Sequence, residues 1–512
     1  MNSTTFVLVA FVYLAVILLY GFYQGRKVKT SSDFSIAGRK LPGWVASLSE
    51  RATGESSWAL LGLPGAAYAT GLLEIWTAVG CVLGVIAAYL FLTERIRNQA
   101  EKYDAATFTD YLAKRFSSQG QAIRIVSSLA IVLFFFFYVG AQFIGGAKTL
   151  DKILGIDLLT GMVLIFALVV PYTVYGGFRS VTYTDVIQAL LMIVAVIITP
   201  IVGFIYLSKQ PEGSVFAHSI SEALQKAGEN YYSLTGGIST EGTMLGQFLE
   251  QLFPHSRALI SGFGAGIMVA AYFSWFFGYL GGQPQLTTRF MAISNRKEAQ
   301  KGKIIGIVWT ILAYTGAILV GYLGIALLGP GALDDNEKIM PTVISELFNP
   351  LFASVLIIGI LAAIISTANS LLILSATELS DNIIKPLRKG HLNPNHALKQ
   401  SRWTTAFLAV VAFFIAYFSP SKIIYGIVSI VWAGIGGTFS VIILFALFWK
   451  NFKSKAALYS ILFGLLFTIV WVILGFEKIV PSRLLTFPLT TLFAITINYL
   501  VKENVAESNP YS

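Results

Sequence analysis

The stretch Ser47–Gly71, "SLSERATGESSWALLGLPGAAYATG", decides how the rest of the chain is read. Apolar sequence flanks it on both sides, yet it carries Glu50, Arg51 and Glu55 and is punctuated by Gly54, Gly62, Pro64 and Gly65. In lipid, a broken helix exposes carbonyls and amides that must find protein, water or ligand partners. A charge in a span costs roughly 2.5 to 3.5 kcal/mol on insertion scales unless it is paired or faces a cavity. Such a stretch persists only where protein, water or a ligand satisfies the freed groups, and freed carbonyls suit a desolvated cation.

The surrounding composition makes the bilayer the solvent. Over 512 residues the chain is 55% hydrophobic and 12% charged, too apolar for a soluble multidomain protein. Apolar runs recur from end to end, and segments such as "IVLFFFFYVGAQFIGGA" lack the alternation of a membrane strand, so the expected fold is an all-α polytopic membrane bundle. The spans fall near 3–23, 44–71, 76–97, 121–147, 157–177, 184–207, 257–285, 303–329, 350–380, 402–418, 422–449, 456–475 and 482–501. That is about thirteen by the length rule. The first run has no basic n-region or small-residue cleavage site and reads as a retained helix. Residues 503–512 read as a polar cytoplasmic tail.

A net charge of +10 invites a nucleic-acid reading, but the basic residues cluster in alternate loops, such as Arg26, Lys27, Arg39 and Lys40, or Arg95, Arg97 and Lys102, or Arg289, Arg296 and Lys297. The positive-inside rule then places the amino terminus outside and the carboxyl terminus in the cytoplasm of a cell membrane protein, which needs an odd number of spans. The charge describes topology, and no nucleic-acid partner is implied. Cys81 is the single cysteine and there are four histidines, so neither a disulfide within the chain nor a cysteine zinc cluster can form. No nucleophile with a plausible base and no metal-spaced carboxylates lie in the spans, which argues against an embedded enzyme. A repeated filter sequence, as in a channel, is also missing.

Two spans are interrupted by small residues: 44–71, and 257–285 with "GFGAG" and "WFFGYLGGQP". Five spans begin at each, so regions 44–207 and 257–449 have the geometry of an inverted five-helix repeat, with extra helices at 3–23, 456–475 and 482–501. Arg51 and Glu55 are four apart and can pair on one helix face, either as an internal ion pair or as part of a gate. In "GILAAIISTANSLLILSATELSDN", Ser366 and Thr367 set two hydroxyls side by side, one turn after Ala363. Hydroxyls with freed carbonyls make a hard-oxygen cage for a small cation, although such residues also back-bond to their own helix.

At these residues the chain resembles the solute:sodium symporter family, most closely its sodium/proline branch. The resemblance rests on "SSWALLGLPGAAYATG", "YTVYGGFRSVTYTDVIQALLMI", "QPQLTTRFMA" and "ILAAIISTANSLLILSATELSDNI", in the family's order and spacing. It implies a fold of the leucine-transporter type that couples sodium entry to uptake of a small zwitterionic or polar solute, L-proline first, with sodium as coupling ion and no other cofactor. It further implies sodium ligands at the backbone of Ala52, Glu55 and Ala363 and the hydroxyls of Ser366 and Thr367. The matched solute positions are Ser56, Trp58, Tyr138, Trp275 and Tyr279; Asp185 matches an acidic residue on the sodium path, and Arg39 a sensitive loop arginine. Two departures stand out. Gly54 occupies the place of the family's aspartate, and "WFFGYLGGQP" carries an extra glycine, so either the loop after Tyr279 absorbs it or Phe276 and Leu280 line the pocket instead. Another amino acid, a monocarboxylate or a sugar, or proton coupling through Glu55 or Asp185, are the alternatives within the same class.

Overall fold

The computed structural model describes residues 3–28, 30–235, 251, 257–387 and 394–503. Residues 504–512 of the expected tail and much of the loop between 209 and 256 lie outside the described residues. Apart from one isolated bridge between Leu41 and Ile293, the described chain is built from helices and their connections. The principal helices are α1 (Ser3–Gly25), α2 (Gly43–Ser57), α3 (Leu63–Thr70), α4 (Ile75–Ala87), α5 (Thr93–Lys102), α6 (Gly120–Leu154), α7 (Leu158–Leu207) and α8 (Arg257–Phe273). They continue with α9 (Pro284–Met291), α10 (Arg296–Leu328), α11 (Pro350–Leu379), α12 (Pro394–Phe418), α13 (Ile424–Val431), α14 (Thr438–Phe448), α15 (Ser454–Ile473) and α16 (Ser482–Leu500).

Among the described residues ten helical stretches are long and apolar enough to cross a bilayer, with Leu158–Pro171 and Gly264–Gly278 as shorter apolar helices. The expected figure of about thirteen is not reached by that measure, in part because Gly43–Lys102 runs through two expected spans as one stretch. Two further expected spans merge into α7, which departs from helical geometry at Gly177 (φ 61°, ψ −170°), a conformation open to glycine at little cost.

The bundle turns its large apolar side chains outward: Leu8, Phe11, Leu19, Phe91, Phe407 and Leu466 are exposed. Lipid covers such a surface with no penalty. The interior is a close-packed apolar core threaded with buried polar and charged side chains. Helix α11 is the most enclosed of the long apolar stretches, packed against α1, α2, α6, α7 and α12, and its small residues Ala362, Ala363, Ser366, Ala368 and Ser370 let those neighbours approach.

The helix break comes later than the glycines suggest. Gly54 is still in α2, and the departure falls on Ser56 (φ 43°, ψ −165°), a non-glycine residue held in a left-handed conformation that its surroundings must impose. The "GLPG" residues stay helical, carried by a wide π-type turn over Trp58–Gly62 and then by α3. Their job is close packing: a Cβ on Gly65 would sit 2.9 Å from the carbonyl oxygen of Asn336, and one on Gly62 3.4 Å from the backbone of Tyr425. The second interruption falls on one of its two expected segments, "WFFGYLGGQP". Helix α8 runs through "GFGAG" to Phe273, and the chain breaks between Ser274 and Gln283, where one helical turn (Trp275–Gly278) leads into Gly281 at φ 86°.

Candidate ion and solute site

Three elements satisfy the polar groups that the break at Ser56 sets free. The Ser57 amide donates to Gln142 Oε1 of α6 (3.1 Å), and Ser56 Oγ lies 3.2 Å from the Tyr138 hydroxyl on the same helix. Trp58 turns back on the break, its Nε1 donating to the Gly54 carbonyl (3.1 Å) and its amide to Ser56 Oγ (3.3 Å). From α11, the Thr367 hydroxyl donates to the Thr53 carbonyl (3.0 Å). Ser56 is thus clamped from α6 and by Trp58, which is how its unfavourable backbone is maintained.

Before the break, α2 is a run of buried charge. Arg51 pairs with Glu55 (Nη1 to Oε1, 2.8 Å) and with Glu50, and it also donates to Thr310 of α10 (3.2 Å). Glu50 receives a second hydrogen bond from Tyr89 (2.7 Å), while Oε2 of Glu55 is buried with no partner. The four-residue spacing of Arg51 and Glu55 therefore gives a real ion pair, extended by Glu50 into a triad that sequence spacing did not disclose.

A second buried network joins α2, α7, α9 and α11. Asp185 accepts from Ser49 and Ser366 (2.6 Å each) and from Arg289 (3.1 Å). Arg289 also donates to Ser49 (2.7 Å), to the Gln285 carbonyl (2.6 Å) and to Ser370 (2.5 Å), and Ser370 lies 3.1 Å from the Thr53 hydroxyl. Both charged partners are almost wholly enclosed, at 1% and 0% side-chain exposure. Only a pair this fully hydrogen-bonded escapes a desolvation penalty of several kcal/mol per ion.

Beyond the break, charge gives way to rings. Trp58 and Trp275 stack face to face, 4.2 Å between centroids and 6° apart in plane. Trp432, on the π-type turn Trp432–Gly437 after α13, meets Trp275 at 5.7 Å, Tyr279 at 5.2 Å and Tyr138 at 6.0 Å. Tyr314 of α10 bonds the Tyr279 hydroxyl (2.6 Å). Trp275 and Tyr279 are buried among these rings, whereas Phe276 and Leu280 are only half-buried.

The expected ligands thus lie about one break. Ala52, Glu55, Ala363, Ser366 and Thr367 are fully buried on α2 and α11, and Ser56, Trp58, Tyr138, Trp275 and Tyr279 share the aromatic side. Asp185 sits behind Ser366. Arg39 is elsewhere, donating to the Ala105 carbonyl (2.6 Å) and to the exposed Asp104 (3.3 Å). Arg289, Ser49, Thr53, Ser370, Tyr314, Tyr425 and Trp432 were not expected. Arg289 does stand in the quoted "QPQLTTRFMA", but it counted there only as a loop charge.

Comparison with known proteins settles the class. The model of the "Sodium:solute symporter family" matches residues 34–464. The chain belongs to this family. It is therefore a multi-pass, sodium-coupled solute transporter, with sodium as its coupling ion. The high-affinity proline transporter PutP of Bacillus subtilis is 30% identical over 488 residues, which cover 95% of this chain and 96% of that protein. A sodium/proline symporter of Staphylococcus aureus is 31% identical over 500 residues, 94% of this chain and 90% of the other. Among solved structures, a sodium-coupled sialic acid symporter in a substrate-bound outward-open state superimposes with a TM-score of 0.74 at 19% identity, over 97% of this chain and 98% of that one. A nucleobase-cation symporter, Mhp1, matches with a TM-score of 0.55 at 13% identity over 93% and 95% of the two chains. These two likenesses show the fold, which is of the leucine-transporter type.

Proposed function

We propose that this symporter carries L-proline inward with sodium by alternating access. The observation that supports this best is the partition at Ser56: hydroxyls and carbonyls on one side, stacked indoles on the other. The carbonyls of Ala52, Glu55 and Ala363 and the hydroxyls of Ser366 and Thr367 make a hard-oxygen set suited to sodium. Each hydroxyl now donates its proton, Ser366 to Asp185 and Thr367 to Thr53, and so keeps lone pairs for a cation. Asp185 would receive sodium next on its way out.

Ser56, Trp58, Tyr138, Trp275 and Tyr279 form the solute site in this reading. A pyrrolidine ring gains from aromatic walls such as these. The proline transporters named above agree with that choice. The inverted repeats span 44–207 and 257–449, with helices 3–23, 456–475 and 482–501 outside them, and a bundle rocks about the site they enclose. The amino terminus lies outside and the carboxyl terminus in the cytoplasm, as the basic loops demand. Arg51 holds the inner half of α2 together, Arg39 ties a cytoplasmic loop, and the cycle contains no covalent step.

The test is uptake of radiolabelled L-proline into proteoliposomes under an inward sodium gradient, against a matched potassium control. Accumulation above the control is expected. Equal uptake in both would overturn sodium coupling, and sodium-driven uptake of other solutes but not proline would overturn the substrate.

A further inference from the structure

The aromatic walls around Trp58 carry no ionised group of their own, yet two buried charges flank them without pairing. Glu74, at the junction of α3 and α4, accepts from the Tyr425 hydroxyl through Oε1 (2.9 Å), while its Oε2 is buried with no partner. Arg483 comes from α16, a helix outside the repeats. Its guanidinium lies 5.5 Å over the Trp275 ring and 5.8 Å over the Tyr425 ring. It donates to the Ala271 carbonyl (3.1 Å) and to Ser429, and no carboxylate pairs with it among the described residues. Tyr425 stands between the two charges, with its hydroxyl on Glu74, its ring beside Arg483, and Trp275 Nε1 donating to it (3.3 Å). Glu74 and Arg483 are both buried, at 1% and 8% exposure.

Glu74 keeps one buried oxygen without a partner and Arg483 has no paired carboxylate among the described residues, an arrangement that is costly unless a ligand uses it. We propose that Glu74 and Arg483 form a zwitterion-reading subsite beside the Trp58–Trp275 stack, with Arg483 taking an amino acid's carboxylate and Glu74 its ammonium. The guanidinium fork matches a carboxylate, and Trp275 and Tyr425 offer faces to an apolar side chain. A neutral sugar brings neither charge and a monocarboxylate only one, so the pair selects for zwitterions. This deepens the reading of the same transporter as an amino-acid carrier and rests on it.

The experiment is solute binding to purified protein in saturating sodium, followed by tryptophan fluorescence. The ligands are L-proline, pyrrolidine, which lacks the carboxylate, and cyclopentanecarboxylate, which lacks the amine. Arg483→Gln and Glu74→Gln are each expected to raise half-saturation for proline about tenfold or more, equivalent to roughly 1.4 kcal/mol, with sodium half-saturation unchanged. Pyrrolidine binding should respond to Glu74→Gln only, and cyclopentanecarboxylate binding to Arg483→Gln only. Proline binding at wild-type strength in either variant, or equal weakening of all three ligands, would overturn the assignment. Where Arg483→Gln does not fold, Arg483→Lys and Glu74→Gln carry the comparison. If the wild type binds a different zwitterion instead of proline, the substrate reading falls and the subsite is judged with that zwitterion. If it binds none, both fall.

Discussion

On the α2 side of Ser56 nearly every polar group has a partner, while on the α3 side two stacked indoles are held mostly by other rings. Arg51 is held by Glu50, Glu55 and Thr310, and Asp185 by Ser49, Ser366 and Arg289. Trp58 and Trp275 meet across 4.2 Å, where a solute seated between them would have to part them. The inner side is a rigid scaffold of directional bonds, suited to an ion with one coordination demand. The outer side is held by ring contacts of about 0.5–1.5 kcal/mol beyond their buried area, which can slide. Ser56 joins the two, so whatever orders α2 also positions Trp58, whose ring is tied back to the Gly54 carbonyl.

If the inner side is a scaffold, removing one of its charges should do the greatest damage. Arg289→Ala leaves Asp185 buried with hydroxyl donors alone and is expected to cost about 3–5 kcal/mol. Thermal unfolding in detergent would show it, and Asp185→Asn/Arg289→Gln should recover more than half of the loss because neither charge is then stranded. Wild-type stability of Arg289→Ala would mean that the pair carries no load and the two sides are not built differently.

Smaller single-group changes should separate by function. Ser366→Ala removes a hydroxyl shared between Asp185 and the proposed sodium set, so the sodium concentration for half-maximal uptake should rise about tenfold, equivalent to roughly 1.4 kcal/mol. Half-saturation for proline at saturating sodium should stay within about twofold, a difference of roughly 0.4 kcal/mol. Equal shifts in both constants would erase the boundary at Ser56.

How much of this was legible beforehand follows from what each residue signals. Glu50, Arg51 and Glu55 in an apolar run announced an unusual helix, because charge in lipid needs a reason. The break fell on Ser56 and not in "GLPG" because glycine signals close approach as well as unwinding, and Gly65 against Asn336 is a case of the first. Arg289 read as a cytoplasmic charge since α9 is only eight residues long, too short to show that it turns its arginine toward Asp185. Trp432 and Tyr314 were invisible for another reason. Their partners lie on other helices, and an aromatic in an apolar helix is ordinary until its neighbours are known.

The smallest effect is expected furthest from both sides, at Arg39. Its link to Asp104 looks like an ion pair, but the Asp104 side chain is 96% exposed, and such pairs are worth about 0–1 kcal/mol once solvent screening is counted. The hydrogen bond from Arg39 to the Ala105 carbonyl (2.6 Å) does not depend on that carboxylate. Asp104→Ala should therefore leave unfolding and uptake within measurement error, while Arg39→Ala, which frees the carbonyl as well, should cost about 1 kcal/mol. The two variants compared in low and high salt sharpen the contrast. A salt-dependent loss in Asp104→Ala would assign the tie to charge, and a salt-independent loss confined to Arg39→Ala would assign it to the backbone bond.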